Sequence, residues 1–367
     1  MKTWNKSLIA SMCLLFTTPA FSASPASSRS QSPASAAVST VAPVSETERY
    51  ARRCQSHAPD RGNKPQGTLL WGTRKEWSAR HQGDERRSVL VSVDLEAPLR
   101  SDAQVGSPRL EKGRLVGSSQ TATSLVGTVL RGTSSQGKPV EVALCGAEPS
   151  PTDPDVVWYR IEAWNPVAQE WENPCAAIGT VSDPRALAVS GVWDASGAHH
   201  DVPGKFTLAC ETGVISKCIS WGYKPWASWN GQSLAELHQA CTRMARADYC
   251  GNGQSHTREG TVIDIYDGLG VLSRTTESSA SWEPSRATFE AAWAPDGATC
   301  LSRTRDGQAM EKILQECPER FHVGEPVDLG QGDRCTVQRV DMNKGTTLLR
   351  NQSYERLQGA SAQAAAP

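Results

Sequence analysis

The sequence carries almost no net charge, no long hydrophobic run, no C-x-x-C pair and no internal repeat. A formal charge of −1, with basic residues scattered along the chain, argues against nucleic acid or an anionic membrane as the principal partner. The longest apolar run, Leu8–Phe16, is nine residues. That is far short of the roughly 20 that cross a bilayer as a helix, so no transmembrane segment is expected. No Cys or His pair has finger or ribbon spacing, which removes the common zinc modules; no metal and no cofactor is expected. Phenylalanine is also scarce, five against twelve tryptophans, so the aromatic part of any core falls to Trp.

What is present begins with a secretory signal. Lys2 and Lys6 precede the apolar run as a positive n-region, and Ala20 and Ser22 stand at −3 and −1 of a cleavage after Ser22, the pattern of a removed signal peptide over residues 1–22. Cys13 is a poor lipidation site, because Ala10-Ser11-Met12 before it lacks a Leu at −3 and places a bulky Met at −1. Residues 23–47 are dominated by Ser, Ala and Pro. Such a stretch has too little apolar surface to offset its chain entropy, so it reads as a disordered linker. The tail from Gly359 reads the same way. An exported product, periplasmic or extracellular, is the expected localisation.

Ten cysteines follow the signal: Cys54, Cys145, Cys175, Cys210, Cys218, Cys241, Cys250, Cys300, Cys317 and Cys335. An even count in an exported chain fits a fully paired disulfide framework. Spacing argues against one pairing. Cys241 and Cys250 lie on what reads as one continuous helix, about 13.5 Å apart in rise and on opposite faces. A disulfide needs Cα atoms about 4.4–6.8 Å apart. Each must then pair elsewhere, and Cys210 and Cys218 are candidates for one end of those ties.

Short apolar runs between turn residues (67–72, 88–95, 124–130 and 139–144) predict a β-rich segment over 48–142. Val156–Trp164 is a further strand. A second region, 143–320, shows strands at Ser190–Asp194, Lys205–Cys210, Val214–Trp221 and Thr261–Asp267. Ala287–Trp293 and Ala298–Arg303 form a hairpin about Pro295-Asp296-Gly297, and Gln308–Glu316 is a short helix. The best helix starts at Leu234 with Ser233 and Glu236 as a capping box and runs to Tyr249, with Gly251 as its C′ residue. Residues 321–367 remain as a C-terminal extension and tail. The expected fold is α+β: strand-rich, disulfide-stapled, with one principal helix over about 233–249 packed on small antiparallel sheets.

Ala247-Asp248-Tyr249-Cys250, within CTRMARADYCGNGQSHTREGTVIDIYD (Cys241–Asp267), resembles the motif that names the ADYC domain, a family of exported bacterial proteins. Gly191–Asp194 (GVWD), Phe206–Trp226 (FTLACETGVISKCISWGYKPW) and Phe289–Cys300 (FEAAWAPDGATC) are similar to flanking parts of the same family. The resemblance spans about 143–320. It implies an exported domain, and it brings no activity, substrate or catalytic residue with it.

Three clusters carry candidate chemistry. The densest is Asp248, Tyr249, Cys250, His256, Glu259, Asp264 and Asp267. In a hydrolase or transferase reading, Cys250 is the nucleophile and His256 its base, with Asp248 beside them. In a metal reading, Asp248, Asp264 and Asp267 hold a hard cation. The competing, structural reading has Cys250 in a disulfide, Asp248 accepting from nearby backbone, and Arg243 and Arg246 paired with carboxylates. It is favoured, because an even cysteine count leaves no spare thiol and a nucleophile must be a free thiolate. The second cluster is His199-His200-Asp201. Adjacent histidines on an extended chain point to different sides, so a histidine metal site would need dispersed partners such as His238. The third is Trp221, Tyr223, Trp226 and Trp229. Exposed, these rings would stack on sugar faces or a partner protein; buried, they build the core of a Phe-poor domain, which is the favoured alternative. Together these readings point to a non-catalytic binding or structural module at the cell envelope, with a glycan or an envelope protein as partner. The alternative is a hydrolase or transferase around the ADYC motif.

Overall fold

Strands Ala186–Ser190 and Lys205–Cys210 pair antiparallel along their length, with Phe206 opposite Ser190 and Cys210 opposite Ala186. The computed structural model that shows this describes residues 44–55, 68–74, 76, 89–101, 106–117, 125–258, 260–341 and 347–354. The two strands sit in a seven-stranded antiparallel sheet. Its order is Pro139–Pro149, Val129–Ser134, Leu90–Asp94, Lys205–Cys210, Ala186–Ser190, Val157–Asn165 and Glu170–Glu172. Pro139–Pro149 also pairs with Val157–Asn165, so the first six strands close into a barrel and Glu170–Glu172 attaches outside the ring. Closure leaves the six ring strands no open edge.

Side chains on a strand alternate between its faces, and in these two strands both faces are buried. Ala186, Ala188, Phe206, Leu208 and Cys210 join Val93, Leu130, Val142 and Tyr159 in the barrel core. Leu187, Val189 and Ala209 belong to a second core outside it. That is why both segments read as unbroken apolar runs.

A second antiparallel sheet has six strands, in the order Ile263–Asp267, Leu349–Tyr354, Ala287–Ala294, Gly297–Leu301, Arg334–Arg339 and Phe321–Asp328. The described residues hold four α-helices: α1 (Glu46–Ala51), α2 (Val214–Ser220), α3 (Ala235–Arg246) and α4 (Met310–Glu316). The longest, α3, packs on α2 and on the second sheet. Leu237, Ala240 and Met244 of α3 meet Ile215 and Ile219 of α2, Ile313 of α4 and Trp293 of the sheet in the second core.

All ten predicted cysteines are paired: Cys54–Cys145, Cys175–Cys210, Cys218–Cys241, Cys250–Cys317 and Cys300–Cys335. Cys241 and Cys250 do pair elsewhere, and Cys218 is the partner of Cys241. Cys210 instead goes to Cys175. Five disulfides place the folded chain outside the reducing cytoplasm. No helix among the described residues is long and apolar enough to cross a membrane. The expected signal peptide, and the linker through Pro43, lie outside the described residues.

The strand-rich α+β class stands, but the sheets are large, of seven and six strands. Val214–Trp221 is not a strand. Gly213 is extended, and α2 starts after it with Val214, Ile215, Ser216, Cys218 and Ile219 all buried; a short apolar run does not distinguish a buried strand from a buried helix. The Ser233–Glu236 capping box does not form. Leu234 is the N-cap with no side-chain bond, and Ser233 Oγ accepts the Ala235 N–H at 3.2 Å. The helix ends at Arg246, before Cys250. Ala247 (φ 51°), not Gly251, takes the left-handed turn, and the Asp248 N–H bonds the Arg243 carbonyl at 2.9 Å. Thr68–Gly72 contains no strand, although Leu69, Leu70 and Trp71 are buried. The linker expected through residue 47 has already become helix at Glu46.

The position chosen to divide the two regions, residue 142, falls inside strand Pro139–Pro149, and strands from both sides share the barrel. Residues beyond 320 supply three of the six strands in the second sheet. From Val44 onward the chain clusters as one unit.

Candidate functional site

The ADYC segment is the turn that leaves α3, and nearly every polar atom in it is spoken for. Asp248 is 1% exposed and pairs with Arg243, itself 3% exposed, at 2.6 Å. Its Oδ1 accepts the Asn252 N–H at 3.1 Å, and Oδ2 accepts the Gly253 N–H at 3.0 Å. Arg243 also donates to the carbonyls of Pro295 (3.1 Å) and Ser196. One ion pair thus ties the helix end to the loop after it, to the 294–297 hairpin and to the 194–198 turn. Gly251 has φ +70°, and a Cβ there would lie 1.9 Å from the Asp296 carbonyl oxygen. Only glycine fits that approach.

Tyr249 is fully buried and stacks on Trp293, ring centroids 5.3 Å apart. Its hydroxyl donates to Glu290 Oε1 (3.2 Å) and accepts the Arg305 N–H (2.7 Å). Burial, then Glu290, pushes the phenol well above its ordinary value, so it stays a protonated donor. Glu290 is clasped by Arg305 through Nη2 to Oε1 (2.9 Å) and Nε to Oε2 (3.0 Å), and Ser353 Oγ donates to Oε2. The same guanidinium reaches the carbonyls of Met244 (2.8 Å) and Ala245 (3.1 Å). It therefore supplies donors to the last turn of α3, where carbonyls lack helical partners.

Cys250 is bonded to Cys317, and a disulfide sulfur offers no thiolate. His256 is buried, with Nε2 3.1 Å from Glu316 Oε2 and its ring 5.6 Å from that of Tyr249. Asp264 accepts the Thr275 N–H at 3.0 Å. Glu259 lies outside the described residues. Asp248, Asp264 and Asp267 are spent on separate anchors. The one cluster of three metal-ligating side chains among the described residues is Cys54, Cys145 and Glu162, whose two sulfurs are themselves a disulfide.

The histidine candidates are also dispersed. His199 Nε2 meets the Ser190 carbonyl at 2.9 Å, and His200 Nε2 meets Asp194 Oδ2 at 2.7 Å. His238 is 1% exposed, with Nε2 3.0 Å from the Ile215 carbonyl and its ring edge on Trp193. Burial depresses its pKa to about 4. Between the unfolded value of about 6.5 and 4, the unfolded chain binds the extra proton. The neutral buried ring is therefore fully compatible with folding above pH 6.5, and stability falls as pH drops toward 4. Unfolding measured by urea from pH 7 to pH 4 is expected to lose roughly 3 kcal/mol through this group. His238→Gln, which keeps an N–H donor, should remove most of that slope; an unchanged slope would assign it to other groups.

The aromatic segment does not present four rings on one surface. Tyr223 is fully buried, Trp221 packs on the second core, and Trp229 is 43% exposed. Trp226 lies on the hairpin turn at Gly113, where a Cβ would come within 2.4 Å of its ring. Two of these residues hold the loop after strand Ile263–Asp267. The Tyr223 hydroxyl donates to Asp267 Oδ2 at 3.0 Å, and Trp229 Nε1 donates to the Leu269 carbonyl at 3.1 Å. Asp267 also accepts the N–H groups of Leu269 (2.8 Å), Val271 (3.2 Å) and Leu272 (2.8 Å).

Beyond that loop lies a 440 Å³ cleft, lined by Tyr266, Leu272, Ser273, Arg274, Thr276, Gln331 and Arg350 along with Asp267. Its floor is a charge cluster that the sequence reading missed. Asp333, 1% exposed, is shared by Arg274 and by Arg350 (2.9 Å), and accepts the Tyr266 hydroxyl at 2.8 Å. Arg350 stands directly across from Tyr266 in the sheet, but the two are 84 positions apart in the chain, so no local pattern joins them. Glu290 did leave a trace, a charge inside the apolar strand Phe289–Ala294; Glu76, its side chain 6% exposed, left none, because it sits among charged neighbours. Glu76 accepts the N–H groups of Trp71 (2.9 Å) and Gly72 (3.0 Å) and lies 3.4 Å from Arg246.

Residues 122–307, about half of the chain, match the family model of the ADYC domain, and the chain belongs to that family. No curated protein and no solved structure matches it.

Proposed function

We propose that this is an exported extracytoplasmic module, periplasmic or extracellular, that binds a glycan or protein of the cell envelope and catalyses no reaction. The observation that carries the reading is the fate of the motif: Asp248 is in a buried ion pair, Tyr249 in a buried network and Cys250 in a disulfide. A hydrolase or transferase at this turn would need the Cys250 thiolate with His256 as base. Supporting the binding side are the half-exposed ring of Trp229 and the polar cleft beside the loop it holds.

Two measurements test the proposal. Thiol titration of the denatured, unreduced mature protein is expected to find none; a single thiol mapped to Cys250 would return the catalytic reading. Retention on purified envelope fractions is expected to fall several-fold in Trp229→Ala, since an aromatic contact is worth about 0.5–1.5 kcal/mol beyond its area. The variant's circular dichroism should be unchanged. If the unaltered protein is not retained at all, the binding reading fails.

A further inference from the structure

We infer that the cleft beside strand Ile263–Asp267 binds a sugar carrying a carboxylate, the uronate class. The inference rests on the proposed binding role and names the ligand chemistry.

Among the described residues Arg350 makes all its hydrogen bonds through Nη1: to Asp333 Oδ2 (2.9 Å), the Leu329 carbonyl (3.0 Å) and the Gly330 carbonyl (3.2 Å). Its Nε and Nη2 have no partner among the described residues, and the side chain is 19% exposed. These two N–H groups form the side of the guanidinium that receives a carboxylate through two parallel bonds. Arg274 is spent differently, with Nη1 on the Gln331 carbonyl (2.7 Å) and Nη2 on the Tyr266 hydroxyl (2.7 Å) and Asp333. It holds the plane of the site and adds positive charge. Both guanidinium groups lie over the Tyr266 ring, at 4.5 Å and 5.3 Å from its centre. Burial and Asp333 raise the Tyr266 phenol above its ordinary value, so it remains neutral and keeps its donor. One buried carboxylate therefore serves two arginines, and the free fork of Arg350 is held rigidly by three bonds.

The other acid on the cleft, Asp267, does not compete as a hydrogen-bond acceptor. Its two oxygens have about four lone-pair sites, and three backbone N–H groups and the Tyr223 hydroxyl fill them. What the rest of the wall offers is suited to a hydroxylated ring: the hydroxyls of Ser273 and Thr276, the Gln331 side chain, and Leu272 for an apolar face. A cleft of 440 Å³ is within the usual range for small ligands, about 300–1,000 Å³. A carboxylate on the Arg350 fork with ring hydroxyls on Ser273 and Thr276 leaves Leu272 for the apolar face of the ring and Gln331 for a further hydroxyl.

The test is calorimetric titration of the mature, disulfide-intact protein with glucuronate, glucose and inorganic sulfate in turn. Glucuronate is expected to bind, with no heat from glucose and markedly weaker binding of sulfate. Arg350→Gln is expected to weaken glucuronate about tenfold or more. Asp333 keeps Arg274 in that variant, so a thermal melt should still show one cooperative transition. Should the variant not fold, Ser273→Ala and Thr276→Ala, each expected to weaken binding several-fold, replace it. No glucuronate binding into the millimolar range, or sulfate binding as tightly as glucuronate, overturns the inference. Glucuronate affinity unchanged by these variants overturns it too. If envelope retention depends on Trp229 while glucuronate does not bind, only the ligand class fails. If glucuronate binds and no envelope fraction is retained, the inference stands and the envelope role fails.

Discussion

Arg305→Met is expected to lower the free energy of unfolding by about 3–5 kcal/mol, the cost of removing one partner from a buried ion pair. Glu290 has no exposed surface, and Arg305 provides both of its charged hydrogen bonds. Without the guanidinium, an ionised Glu290 keeps only the hydroxyls of Tyr249 and Ser353. The Ala245 carbonyl loses its donor in the same step, while that of Met244 keeps the Ala247 N–H at 2.9 Å. Urea unfolding with disulfides intact should show a lower midpoint at an unchanged slope. The double variant Glu290→Gln/Arg305→Met should recover part of the loss, because the unpaired charge is what costs most. A single-variant loss under about 1 kcal/mol would mean that water or another cation satisfies Glu290.

The second large effect is at the staple of the motif. Cys250 and Cys317 are separated by 67 positions, and closing a loop of that length removes about 4 kcal/mol of unfolded-state entropy in the chain-entropy model. Cys250→Ala/Cys317→Ala is expected to lose an amount of that order, read again from urea midpoints. The variant also separates a staple from a reagent. At a temperature where it remains folded, envelope retention should match the unaltered protein. A folded variant that has lost retention would show that the disulfide does more than hold α4 to the turn after α3.

The legible parts of the fold were those fixed by local sequence. Ala294-Pro295-Asp296-Gly297 announces a hairpin because its residues suit only a turn, and the pairing of Ala294 with Gly297 bears it out. Lys205–Cys210 and Val156–Trp164 were legible as strands from β-rich apolar runs. The barrel was not, since its closure is a contact between Pro139–Pro149 and Val157–Asn165 that no periodicity encodes. The helix over Val214–Ser220 was misread because it is buried nearly all round and so shows no amphipathic contrast. At the site, the motif residues were found from their resemblance and their density of polar groups. Arg274, Asp333 and Arg350 went unnoticed because they come from a loop, a turn and a strand that meet only after the second sheet assembles. The aromatic group Trp221, Tyr223, Trp226 and Trp229 is visible in sequence as a cluster, but its spacing does not tell which ring is exposed; in the fold that ring is Trp229.

The cysteine pairing sets a timetable for synthesis. A chain grows from its N-terminus, and the first six cysteines bond in order of appearance: Cys54 with Cys145, Cys175 with Cys210, Cys218 with Cys241. Each of those links joins cysteines that are neighbours in the sequence, so each can close once its second cysteine has emerged. The last four interleave, for Cys250 must pass over Cys300 to reach Cys317, and Cys300 must pass over Cys317 to reach Cys335. An oxidant that joins neighbours as they appear would complete the barrel half correctly and then lock Cys250 to Cys300. Correct maturation of the ADYC turn therefore depends on delay or on thiol–disulfide exchange, which makes the residue that names the family the first cysteine that must pass over a nearer one to reach its partner.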